Sequence, residues 1–185
     1  MRLLPLSISL LLAFLAAPAT ATEPPRVISI VHGETTLASH GDKAYAVNRA
    51  RGVGRDLDDA GFASKTFSDV ALAAALAPPC RVAHLVCVEY PAASQLAIID
   101  AFLKNGGKLV VHRSPSGPLA KRLGLGEPRQ VRAGAFLWTG FAFQGARPLH
   151  APARVDSKAG LVLQPASLGA DARALARWIP AGDKA

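Results

Sequence analysis

Three short polar stretches carry the side chains that could do chemistry: His32-Gly33-Glu34-Thr35-Thr36, Glu89-Tyr90 and His112-Arg113-Ser114. Each closes an apolar, β-branched run. A carboxylate pair such as Glu34 and Glu89 is what general acid/base attack on a glycosidic bond requires, provided the carboxyl groups stand about 5 to 10 Å apart. His32, Glu34, Glu89 and His112 also make a donor set of the kind zinc accepts. Their spacing matches no metal motif, however, and polar loop ends bonding one another account for them better, so no metal and no cofactor is expected. Thr35, Thr36 and Ser114, with free backbone N–H groups nearby, suit a hydroxylated or anionic ligand, and His32, Tyr90, His112 and Arg113 complete that binding set. The same Thr-Thr and Ser-Pro pairs read equally well as helix starts.

These groups can act together only if the elements before them end at one place. Arg26 to Val31 reads as a buried strand. A helix follows from about Asp42 to Ala60, because Ala46, Ala50, Val53, Leu57 and Ala60 recur at helical spacing, and Gly61 stops it. Phe62 to Phe67 is a second strand, after which Ser68 opens a short Ala/Leu helix that Pro78-Pro79 ends. Arg81 to Val88 is a third strand, apolar on both faces except at His84, as a central strand of a parallel sheet would be. Ser94 to Lys104 forms the next helix, closed by Asn105-Gly106-Gly107, and Lys108 to His112 is the fourth strand. A short helix from Pro118, stopped by Gly124, ends the regular part.

Beyond Gly126, Val131 to Phe143 suits antiparallel or edge strands with a bulge, and Leu161 to Gln164 is a further strand. Asp171 is expected to cap a last helix with Leu175, Trp178 and Ile179 inward. Trp138 and Phe141 are better core residues than sugar-stacking ones. Four strand-helix units imply an α/β protein with a doubly wound, mostly parallel sheet in the flavodoxin-like order 2-1-3-4, plus extra C-terminal β segments. In such a sheet, ligands bind outside the carboxyl ends of the strands, which is where the three polar stretches fall. His84 is expected in the sheet interior, and His40 and His150 in loops.

Met1-Arg2, the apolar run from Leu3 to Ala17 and the small residues Ala19-Thr20-Ala21 read as a secretory signal peptide cleaved after Ala21. The expected product is a secreted or periplasmic single domain of residues 22–185, with a core over 26–125 and no membrane span. Without Arg2 the chain holds 20 Lys+Arg against 13 Asp+Glu, and 13 of the basic residues lie after Asp100. Such a surplus attracts anionic envelope polymers, although scattered solvated charge explains it as well. No RNA-binding or zinc-finger pattern accompanies it, so nucleic acid is not an expected partner. Cys80 and Cys87 bracket one extended strand and lie too far apart to bridge. Cys80 reads as a loop thiol and Cys87 as a buried hydrophobe inside the strand.

The succession "RVISIVHGETT", "GRDLDDAGF", "VAHLVCVEYP" and "LAIIDAFLKNGGKLVVHRS" resembles the class I glutamine-amidotransferase-like fold. It is similar, more narrowly, to the amidotransferase-like domain of secreted bacterial proteins related to glycoside hydrolases, and to trehalose-utilisation-type domains. The resemblance covers about Arg26 to Leu125. Working members of the class carry Gly-x-Cys-x-Gly at the sharp turn after the third strand. Here the turn reads Val88-Glu89-Tyr90-Pro91, with Cys87 too early, and no downstream His-Glu pair stands in for the usual partners. The resemblance therefore implies a domain without the nucleophile, acting as a binding or accessory module for a carbohydrate-type or anionic envelope ligand. A saccharide hydrolase using Glu34 and Glu89, or a structural remnant, are the alternatives.

Overall fold

Successive residues of the β-branched runs point to opposite sides of one sheet, and helices cover both sides. The computed structural model describes residues 27–37, 39–113, 117–132, 138–145, 152–159 and 161–181. Strand β1 (Ile28–His32) leads through a 3-10 turn at His40–Asp42 into helix α1 (Lys43–Asp59). Next come β2 (Ser64–Ser68), a 3-10 turn at Asp69–Ala71, α2 (Leu72–Ala75), β3 (Val82–Val86), α3 (Ala93–Lys104), β4 (Lys108–His112) and α4 (Gly117–Arg122). The four strands are parallel and lie in the order β2-β1-β3-β4, an α/β arrangement.

Val31, Ala83 and Leu85 face one side, where they pack with Leu72 and Ala75 of α2, Leu96, Ile99 and Phe102 of α3, and Leu119 of α4. Ile30 and Val86 face the other, against Ala46 and Ala50 of α1 and the side chain of Cys87. The helical spacing of the alanines thus does what it must: small residues let α1 approach the sheet closely. Burying Ile30, Leu72, Leu85, Ile99 and Leu119 completely stabilises the fold by about 1.5 to 3 kcal/mol per side chain. After α3, Gly106 adopts φ 81°, a left-handed conformation that closes the helix and that a residue with a Cβ resists.

Helix α1 packs on β1 and β2 and less on β3. The α1-side face of β4 is therefore open, and Val110 is 41% exposed.

The C-terminal part forms antiparallel pairs: β5 (Pro128–Arg132) with β8 (Leu161–Pro165), and β6 (Trp138–Phe143) between β7 (Arg154–Ala159) and β9 (Ala176–Pro180). The register shifts between Trp138 and Gly140, at the expected bulge. The expected last helix is corrected to a strand. Leu175, Trp178 and Ile179 recur at helical spacing, but pairing with β6 wins: Ile179 is buried, Trp178 meets Phe141 edge-on at 5.7 Å, and Leu175 is exposed. No helix among the described residues is long and apolar enough to cross a membrane. The expected signal peptide with its cleavage after Ala21, and also Ser114 and His150, lie outside the described residues.

Candidate functional site

The carboxyl ends of parallel strands share one rim. His32 closes β1, Val86 closes β3 and His112 closes β4, and the register sets His32 beside Val86 and Val86 beside His112. The loops that follow are bonded to each other. Tyr90 N–H donates to the Thr36 carbonyl at 2.9 Å, and Gly33 N–H to the Val86 carbonyl at 2.9 Å. Arg113 Nε lies 3.2 Å from Glu89 Oε1. The described residues of the three polar stretches therefore converge.

Asp69, one residue past β2, organises the first loop. Its carboxylate accepts the backbone N–H groups of Glu34, Thr35 and Thr36 at 2.9 to 3.1 Å, and the hydroxyls of Thr35 at 3.0 Å and Thr36 at 2.6 Å. Burial pushes the Asp69 carboxyl up, but these hydrogen bonds together outweigh it and hold the group below its ordinary value. Gln95, in the first turn of α3, donates to the Asp69 carbonyl at 3.1 Å and accepts the Ala92 N–H at 2.9 Å. Thr35 and Thr36 were expected to offer free backbone N–H groups to a ligand. That expectation is corrected: the protein's own carboxylate fills the nest.

The two glutamates are paired with different cations. Glu34 Oε1 lies 2.5 Å from Lys43 Nζ, and this hydrogen bond holds the Glu34 carboxyl below its ordinary value. Glu89, buried, faces Arg113, whose guanidinium also reaches Asp42 Oδ2 at 3.6 Å. Arg113 Cζ stands 5.3 Å from the centre of the Tyr45 ring, and Arg49 Cζ 6.0 Å from the same ring. Tyr90 presents its ring to solvent and is 62% exposed. His32 is half-buried, with Nδ1 3.3 Å from the Gly33 carbonyl.

Cys87 requires a second correction. It is not inside the strand: β3 ends at Val86, and Cys87 follows at φ 56°, the start of the sharp turn. Its thiol is nevertheless turned into the core beneath α1 with 2% exposure, and burial pushes it up against the opposing pull of Arg113. Cys80 does stand in a loop, but it too is buried, its thiol donating to the Val82 carbonyl at 3.3 Å, and neither cysteine is bridged.

His112 meets a histidine from the next strand. His84 Nδ1 and His112 Nε2 are 2.9 Å apart, with the rings stacked at 5.1 Å between centres. Burial lowers both imidazoles below their ordinary values, helped by His112 in the case of His84 and by Arg49 in the case of His112. Among the described residues no three His, Cys, Asp or Glu side chains cluster closely enough to hold a metal ion.

Asp69, Lys43, Tyr45, Arg49 and His84 all belong to this rim or its edge and escape a search of strand ends one, three and four. Asp69 had a signal: in the order 2-1-3-4, the residue after strand two lies on the same rim as the loop after strand one. Tyr45 and Arg49 had none, since one exposed face of a helix looks like any other. Comparison of the chain with protein-family models, with curated proteins and with solved structures gives no significant match.

Proposed function

We propose that this protein is an exported, amidotransferase-like module of flavodoxin-like topology that binds a carbohydrate-type ligand without turning it over. The observation that carries the reading is the pairing of the rim. Lys43 is paired there with Glu34, and Arg113 with Glu89 and Asp42. Cations already engaged in ion pairs give little pull on an anion, while fixed carboxylate and guanidinium edges suit the hydroxyls of a neutral sugar. The exposed Tyr90 ring supplies an apolar stacking face. Tyr45 acts through Arg113, holding the guanidinium in place.

Acid/base hydrolysis fits less well. A general acid needs a carboxyl raised toward neutrality, whereas Lys43 holds the Glu34 carboxyl low. The test is a glycan-array screen on the protein lacking residues 1–21, followed by calorimetry with the best glycan. Binding that survives 0.5 M salt and is lost in Tyr90→Ala and Arg113→Gln supports the proposal. Binding that collapses with salt indicates an anionic ligand instead, and glycan cleavage that Glu34→Gln or Glu89→Gln abolishes indicates a hydrolase. No binding to any glycan removes the proposal.

A further inference from the structure

Asn48, Arg51, Arg55 and Asp58 recur at helical spacing and so make one stripe along α1. With Ser64 and Thr66 of the edge strand β2, this stripe lines an open groove of about 730 Å³ on the flank of the sheet. The groove reaches toward the end opposite the rim: Ser64, which opens β2, donates its hydroxyl to Asp58 Oδ1 at 3.2 Å, whereas Ser68 closes the strand beside His32. Gly54 forms part of the floor. A Cβ there would make only ordinary contacts, 3.5 Å to Ile30 Cδ1 and 3.9 Å to Ser64 Oγ, so packing does not demand the glycine even though it weakens the helix.

The cations of this groove differ from those of the rim. On the rim, Lys43 and Arg113 are ion-paired. Arg51 and Arg55 stand one helical turn apart on an exposed face, and among the described residues neither has an ion-pair partner. Like charges at that spacing repel and weaken a helix. An anion seated between them turns the repulsion into attraction, and each guanidinium offers it a planar fork of N–H donors.

We propose that this groove is a second binding site, for a phosphate monoester of a small hydroxylated molecule such as a sugar phosphate, with the phosphate held between Arg51 and Arg55. Phosphate suits the lining better than a carboxylate does, because its three terminal oxygens and second charge use both guanidinium groups and the Asn48 amide together. The groove is far larger than a phosphate group, which leaves room for the sugar. Asp58 repels the anion and so directs it to the Arg51 end. Its carboxylate, with the Ser64 and Thr66 hydroxyls, is left to meet the hydroxyls of the sugar.

The experiment is titration of the isotope-labelled protein with glucose 1-phosphate, read by the NMR shifts of the backbone amides, with inorganic phosphate, glucose and glucuronate as comparisons. Saturable shifts centred on residues 48–58 and 64–66 are expected, with glucose 1-phosphate binding more tightly than any of the three comparisons. Arg51→Gln and Arg55→Gln should each weaken that binding by about tenfold. Both changes lie on an exposed helix face and keep good helix propensity, and circular dichroism checks the fold. Absence of saturation overturns the proposal, as does glucuronate binding as tightly as the phosphate ester. So do shifts centred on residues 32–36 and 89–90, which would put the ligand on the rim. These outcomes are read on the wild-type protein and stand whether or not a neutral glycan binds the rim.

Discussion

The Thr36 hydroxyl donates to Asp69 Oδ2 across 2.6 Å, although the two residues stand 33 positions apart in the chain. This bond and the backbone donors beside it decide what the first loop of the rim can be. A run of N–H groups that would suit an external anion is closed by an internal one, and the loop becomes a fixed wall of the site.

Asp69→Ala should therefore be among the most damaging single changes in the protein. It strands three backbone N–H groups and the buried Thr36 hydroxyl, at a cost of about 3 kcal/mol or more. Asp69→Asn keeps one acceptor oxygen and should lose less. Urea unfolding at pH 7 measures both, and equal stability of Asp69→Ala and wild type would remove the wall from this account.

Gly33→Ala should destabilise by overpacking. A Cβ at Gly33 would stand 2.1 Å from the Cys87 carbonyl oxygen, a backbone atom with no rotamer to yield. The loops after β1 and β3 would have to separate, costing about 1 to 3 kcal/mol and lowering any affinity that depends on the rim. A thermal midpoint unchanged from wild type would contradict the contact.

Neither thiol should react in the folded protein. Cys87 and Cys80 are both buried, and burial pushes the Cys87 thiol up, so little thiolate is available at pH 8 and a reagent cannot reach it. An aromatic disulfide reagent should label both only after unfolding. Rapid labelling of native Cys87 would instead favour a nucleophile at the turn, the one reading for which φ 56° argues.

Acid should weaken the fold before the ordinary carboxylates titrate. Both imidazoles of the His84 and His112 pair lie below their ordinary values in the folded state, so the unfolded chain binds more protons from about pH 6.5 downward. The stability they contribute is full above that pH and is lost as pH falls toward the folded values. The thermal midpoint should drop between pH 7.5 and 5, and His84→Gln should flatten that slope. A slope identical in the variant would show that the pair plays no part.

Much of the scaffold is written in local patterns. Alanine at helical spacing through residues 46–60, β-branched runs of strand length and Gly106-Gly107 after an amphipathic helix each act over a few residues. The order β2-β1-β3-β4 follows from them, because short right-handed crossovers leave few alternatives. That His32, Glu89 and Arg113 meet on one rim is a consequence of the same order. The last strand was not legible: residues 175–179 fit a helix or a strand, and only the partner β6 settles which, since pairing can override local spacing.

The sequence by itself determined the strands and helices of the parallel sheet and the rim on which polar residues collect, since short-range periodicity and chain chirality suffice for these. Tertiary structure alone decided the chemistry of that rim. Asp69 fills the loop of Thr35 and Thr36, Lys43 and Arg113 neutralise Glu34 and Glu89, Cys87 turns inward, and His84 meets His112. Each depends on distances between residues remote in the chain, and a hydrogen bond or ion pair is made or lost within about an ångström, a precision that no spacing along a sequence encodes.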